Sequence, residues 1–292
     1  MIVYEDDDII VCHKPAGVPV QSASVRTKDM VSILRTHLQE NSGQDHPRSD
    51  IDVEVKAEKP QRSGSKNTGV KRAGEEPRDV YVVHRLDQPV EGVMVFAKTK
   101  RAAAELSRQA AGDGMKKRYY AVVELTEAAE LNQWHTLVDY LVKDGRNNRS
   151  FVSGAGKKDA KRAELRYRIL KLSENGQSSQ SARALEGQSA LMQAAKGLAL
   201  AEIELKTGRH HQIRVQMAHA GMPLYGDRKY NPGKAKLSEI AEAKNAGRDL
   251  NTEFGSQPLA LCAVSLTFRH PRTQKEMTFS VEPEAPIFHK MA

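Results

Sequence analysis

Long apolar stretches are absent from this chain of 292 residues, which leaves nothing of the length a membrane-spanning helix needs. Cysteine is nearly absent: Cys12 and Cys262 are far apart and form no CxxC pair, so neither a disulfide framework nor a zinc ribbon is signalled. Both read as buried reduced thiols. A basic leader is also missing. MIVYEDDDIIVC places an acidic run where an export signal carries positive charge, and the expected location is the cytoplasm. No repeat of solenoid period and no HExxH occurs, and His210, His211 and His219 lack the i, i+4 spacing of a helical metal pair.

What is present is a chain of 32.4 kDa, 39% hydrophobic and 28% charged, large enough to bury a sizeable core. Its net charge of +8 and pI near 9.3 favour a polyanionic partner, because neutralising phosphates releases condensed counterions.

Hydrophobic patterning orders the chain. Residues 2–11 read as two short strands around the acidic turn 5–8, Lys14-Pro15-Ala16-Gly17 as a turn, and 30–39 as a helix. Residues 80–83 and 92–97 read as strands with HRLD between them, 100–111 as a helix, and 118–124 and 162–172 as strands. A strand at 198–205 leads through Thr207-Gly208 into a helix from about His211 to Ala220, with Gly221 at the C′ position. Strands at 259–268 and 276–281 close the chain. Residues 40–79 and 173–195 are polar and read as mobile insertions, the second able to form a marginal helix, and 232–256 reads as a charged, helix-compatible insertion. The basic run 59–72 reads as a solvated loop or an RNA contact. The expected fold is α+β, a single domain over 1–292 with a mixed, mainly antiparallel sheet flanked by helices and loops.

Three segments offer chemistry. Asp87, in HRLDQPVEG, follows a strand and precedes the rigid turn Gln88-Pro89, where a carboxylate either caps the turn or acts on a substrate. In TGRHHQIRVQ, His211 and Arg214 lie three apart near a helix N-terminus, suited to an anion or to solvent. In KKRYYAVVE, Tyr119 and Tyr120 face opposite sides of a strand, so one of them at most reaches a shared site.

Taken together, HRLD followed by a glycine, K-x-Y-x-A at Lys117, Tyr119 and Ala121, and TGRHHQIR with GMPLYGDRKY resemble the motif set of the RluA/RsuA class of pseudouridine synthases. The opening segment from Glu5 to Val20 and the closing LALCAVSLTFRHPRT are similar to that family's ends. The resemblance implies the pseudouridine synthase catalytic fold, no cofactor and no metal, a monomer, and ribosomal or transfer RNA as partner and substrate. It implies Asp87 as nucleophile, Arg214 as the arginine that pairs with it, and Tyr119 as the active-site tyrosine against the target base. Arg85 matches the arginine that fills the stack once the base is flipped, and His84, Arg209, His211 and Gln212 are the expected neighbours on the RNA. Two positions depart from the pattern: Val90 and Glu91 precede Gly92 where relatives carry Thr-Ser, and Cys262 stands in place of histidine. A Glu91 aimed inward would raise the Asp87 pKa. The alternatives are an RNA-binding protein whose site is impaired and a hydrolase releasing free uracil. No room is left before the catalytic segment for a small N-terminal RNA-binding domain, so target choice is expected to reside in the catalytic domain or its insertions.

Overall fold

The computed structural model describes residues 1–24, 26–41, 79–127, 129–173, 197–231 and 258–291. The insertions expected at 40–79, 173–195 and 232–256, and the basic run 59–72, lie almost wholly outside the described residues. The fold is α+β, with a mixed sheet and few helices. Among the described residues no helix is long and apolar enough to cross a membrane.

The chain divides into two compact units, and β4 and β10 contribute residues to both. The first unit takes Met1–Gln88, Val93–Met115 and Ser265–Val281. In it β1 (Ile2–Glu5) and β2 (Ile9–Lys14) form an antiparallel pair around the acidic turn. Helix α1 (Met30–Glu40) starts at a capping box in which Asp29 accepts from Ser32 N and Ser32 Oγ accepts from Asp29 N. The short β3 (Tyr81–Val82) pairs antiparallel with the far end of β4 (Glu91–Ala97), a strand buried at every position, as a continuous apolar run in a covered sheet should be. Helix α2 (Lys100–Ala111) is capped by Thr99 Oγ1 and buries Ala102 and Leu106. Ile9, Val11, Val93, Val95, Leu106 and Phe268 share one core cluster.

The second unit takes Pro89–Gly92, Lys116–Val264 and Glu282–Ala292. Its strands are β5 (Lys116–Leu125), β6 (His135–Asp144), β7 (Arg149–Ser153), β8 (Lys161–Leu172) and β9 (Gly197–Leu205), with the start of β10 (Leu261–Arg269). The order is β10-β5-β9-β8-β6-β7. The short α3 (Gln212–His219) buries Val215 against Leu141 and Ala163. The chain ends in the single turn α4 (Pro286–His289), and β11 (Glu276–Ser280) returns to pair with β10 in the first unit.

The parallel contact of β4 with β10 makes the sheet mixed. Gly92, at φ +129°, faces Ala263, and a Cβ there would fall 2.4 Å from Ala263 N. Only glycine fits that approach. Cys12 and Cys262 are buried thiols, and burial pushes Cys12 up to about 12 and Cys262 higher than an ordinary thiol.

Candidate active site

HRLD emerges from β3 as a loop whose backbone is held by residues far back in the sequence. Lys14 is fully buried, and its ammonium donates to three carbonyl oxygens, Val18 O at 2.8 Å and Pro15 O and Gln88 O at 3.0 Å. The Gln88 carbonyl also accepts from Gly17 N at 2.9 Å, and Gln88 Nε2 donates to Gly17 O at 3.0 Å. The opening Lys14-Pro15-Ala16-Gly17 turn is therefore a bracket on the residue next to Asp87. Three charge-assisted bonds satisfy the ammonium and fix the loop.

Upstream in the same loop, His84 Nε2 accepts from Val95 N at 3.1 Å. That bond ties His84 to β4. Arg85 is exposed and donates to Gln21 Oε1 at 2.8 Å. Downstream, Glu91 is buried, and its carboxylate accepts from the backbone N–H groups of Glu284 and Ala285 at 3.2 Å. These donors lie in the segment just before α4 (Pro286–His289), and they satisfy the buried carboxylate. The residue that departs from the family pattern thus has a structural use.

In the second unit, the segment before α3 is braced by Gln212. Its Oε1 accepts from Thr207 Oγ1 at 2.8 Å and from Arg209 N at 2.9 Å, and its Nε2 donates to Glu164 O at 3.0 Å. Gln212 is 3% exposed, so its amide shapes the Thr207–Arg209 turn, while Arg209 lies at the surface with Nε donating to Arg162 O at 2.9 Å. His211 caps α3 from the left-handed region, at φ 53°, which is uncommon for a residue other than glycine or asparagine. Its neighbours hold it there: Tyr230 Oη lies 2.8 Å from Nδ1 and accepts from Ser150 N at 2.8 Å. Burial, aided by the nearby Arg214, His210 and Lys229 charges, lowers the His211 pKa to about 3, so the ring is neutral.

Arg214 is 4% exposed and grips Asp227 with two bonds, Nε to Oδ2 at 2.7 Å and Nη2 to Oδ1 at 2.8 Å. Asp227 is 1% exposed and also accepts from Lys229 N at 2.9 Å and Tyr230 N at 3.2 Å. The Arg214 guanidinium lies 5.2 Å from the Tyr230 ring centroid. Asp227 and Tyr230 were not nominated from the sequence. The signal was present in GDRKY, where an acid follows a glycine turn and an aromatic comes three residues later. A buried bidentate pair orients the guanidinium, and removing one partner of such a pair costs about 3–5 kcal/mol.

Tyr119 is 5% exposed on β5 beside Ile203 of β9, and shares its face with the buried Ala121 and Val123. Lys117, two residues before it, has its pKa lowered by burial. His84, Arg85 and Asp87 thus share one loop, Arg209, His211, Gln212 and Arg214 share one helix start, and Tyr119 stands on β5.

Comparisons with known proteins agree on one family. The family described as RNA pseudouridylate synthase matches residues 8–219. The chain is 28% identical over 300 residues to RNA pseudouridine synthase 2, chloroplastic, of Oryza sativa subsp. japonica, covering 97% of this chain and 61% of that protein. It is 26% identical over 283 residues to tRNA pseudouridine synthase C of Vibrio vulnificus, covering 96% of this chain and 89% of the relative. Among solved structures, human RNA Pseudouridylate Synthase Domain Containing 4 is similar in fold with a TM-score of 0.61 at 19% identity, over 99% of this chain and 90% of that one.

Proposed function

The chain belongs to the RNA pseudouridylate synthase family, and on that premise we propose that it isomerises a specific uridine of ribosomal or transfer RNA to pseudouridine with Asp87 as nucleophile. The reaction breaks N1–C1′, turns the uracil and joins C5 to C1′; the C5 proton leaves to solvent and N1 ends protonated, so the composition is unchanged. A carboxylate suits attack on the electron-poor sugar carbon or on the ring. Arg214 supplies the counter-charge that keeps Asp87 ionised, and Tyr119 packs against the target base. The base must first leave the stack, which costs a few kcal/mol and least in loops. Arg85, planar, cationic and exposed, is shaped to take the vacated place. His84 and His211 are further RNA-contacting residues in this reading, Arg209 meets phosphate, and Gln212 holds the turn that presents Arg209.

The observation that carries the reading is HRLD in a loop clamped through Lys14 and Gln88, within the span that the family matches. The altered Val90-Glu91 pair does not favour an impaired site, because the Glu91 carboxylate is engaged by the backbone at 284–285.

Tritium release tests it. RNA labelled at uridine C5 loses its label when C5 bonds to C1′, so the wild-type protein releases tritium and Asp87→Asn releases none while binding RNA as well as wild type. Release of free uracil would identify a hydrolase instead. Full activity in Asp87→Asn would remove Asp87 from the chemistry.

A further inference from the structure

The positive charge of this protein is unevenly spread. Residues 143–168 contain nine Lys or Arg and three Asp or Glu, a net of +6 within a chain whose total is +8. Three of the nine have carboxylate partners: Arg162 with Glu164, Arg166 with Glu204 and Arg168 with Glu202. The other six, Lys143, Arg146, Arg149, Lys157, Lys158 and Lys161, are all exposed and form no ion pair among the described residues. The remaining acid near the hairpin tip, Asp144, accepts from Arg146 N, Asn147 N and Asn147 Nδ2, so it shapes the β6–β7 turn. With Asp144 and the exposed Asp159, positions 143–161 keep a net charge of +4, and a polyanion relieves the repulsion that remains.

Strand alternation separates two faces here. Toward α3, β7 presents Ser150, which meets the catalytic-motif His210, and Val152, which packs near Val215. The opposite face presents Phe151 beside Val142, then Tyr140 between Ser153 and Arg162, then Val138 beside Glu164. Phe151 is 40% and Val138 48% exposed, two of the three large apolar side chains so exposed among the described residues. Lys157, from the turn between β7 and β8, lies 4.7 Å from the Phe151 ring centroid, which brings that turn over the same face. An exposed aromatic on a sheet, flanked by an aliphatic row and bordered by unpaired lysines and an arginine, is the combination that stacks a base and holds its phosphates.

We infer that this face of the β6–β7–β8 sheet docks a single-stranded stretch of the RNA substrate outside the target nucleotide. A base stacks on Phe151 and extends over Val142 and Val138, and Lys157, Lys158 and Arg146 meet the backbone. Charge complementarity selects the occupant: a protein partner would leave Arg146, Lys157 and Lys158 unneutralised unless it were itself acidic, whereas Lys143 and Lys161 alternate to the α3 side and Arg149 lies over the Tyr230 ring. The inference rests on the isomerase reading only for the identity of the polyanion. Because Ser150 holds His210 from the reverse side of the same strand, RNA bound here is fixed relative to the start of α3.

The experiment is fluorescence anisotropy of full-length protein with a labelled, unstructured single-stranded RNA of mixed sequence, at several KCl concentrations. Phe151→Ala weakens binding by roughly fivefold or more at fixed salt and leaves the slope of log K against log[KCl] unchanged, as loss of one stacked base does. The pair Lys157→Gln with Lys158→Gln flattens that slope by about 1.4, two phosphate contacts at ~0.7 each on a single strand. Thermal melting is unchanged in both, since all three side chains are exposed. Wild-type affinity and slope in both variants would overturn the inference. So would a change in the sedimentation mass of RNA-free Phe151→Ala with RNA affinity intact, which would make the face a protein contact. If wild-type protein binds the RNA through this face yet releases no tritium from C5-labelled RNA, the isomerase reading fails while the docking surface stands.

Discussion

Lys14 braces the loop that carries the proposed nucleophile Asp87. The three carbonyl oxygens around its ammonium include that of Gln88, next to Asp87, so the charge on Lys14 is neutralised by the dipoles it fixes. Lys14→Met keeps the apolar stem but leaves the partly buried Pro15 and Val18 carbonyls without that donor, while Gln88 O keeps Gly17 N, a loss of ~2 kcal/mol or more of stability. It should also lower kcat more than RNA affinity; a denaturation curve and tritium release measured on the same preparation check both. His211 carries a second expectation. Its folded pKa of about 3 lies below the ordinary 6.5, so the unfolded chain binds the extra proton, and stability falls as pH drops below about 6.5. The slope reaches about 1.4 kcal/mol per pH unit for one proton. His211→Asn, which tolerates the left-handed backbone, should remove that share of the slope; denaturant midpoints of both proteins between pH 4 and 7, about the range of an ordinary histidine titration, decide it, and parallel profiles would refute the assignment. At this scale the sequence was legible in type and not in partnership. Asp87, Arg214 and Tyr119 stand out as residue types in motifs, whereas Lys14 with Gln88 and Arg214 with Asp227 are pairs 74 and 13 positions apart that only folding joins.

Elements were legible where periodicity was strong. The helices at Met30–Glu40 and Lys100–Ala111 and the buried strand Glu91–Ala97 lie where apolar spacing puts them. The start of α3 is shifted: His211 stands outside the helix as its cap, because Tyr230 holds it in the left-handed region. The β6–β7 hairpin was not read from the sequence at all. Its signal was Asp144-Gly145 between VDYLV and SFVS, a turn dipeptide between apolar runs, obscured by the basic residues that follow it. Gly92 is the element-scale position with the sharpest consequence. Gly92→Ala would place a methyl group 2.4 Å from Ala263 N at a φ of +129°, and β4 and β10 must part to admit it. The expected loss is at least ~2 kcal/mol, read as a lowered Tm, with RNA binding falling only as far as the folded fraction does.

For the molecule as a whole, identities of 26 to 28% over nearly the full chain accompany a match to one family. Lys14, Asp87, Arg214 and Asp227 sit in the segments that carry the resemblance. RNA contacts outside the target nucleotide are expected on the basic β6–β8 region. The +8 charge favours a polyanionic partner, and a net of +6 lies in one stretch of twenty-six residues, 143–168, which the fold forms into β7, β8 and the turns beside them. The central claim, that this chain makes pseudouridine in RNA through Asp87, is met most directly by nucleotide-resolution pseudouridine mapping. Ribosomal and transfer RNA would be compared from cells lacking the gene, cells restored with it, and cells restored with Asp87→Asn. The account predicts one or a few uridines that are modified only when the wild-type chain is present. Identical maps in all three strains, or full modification with Asp87→Asn, would contradict it.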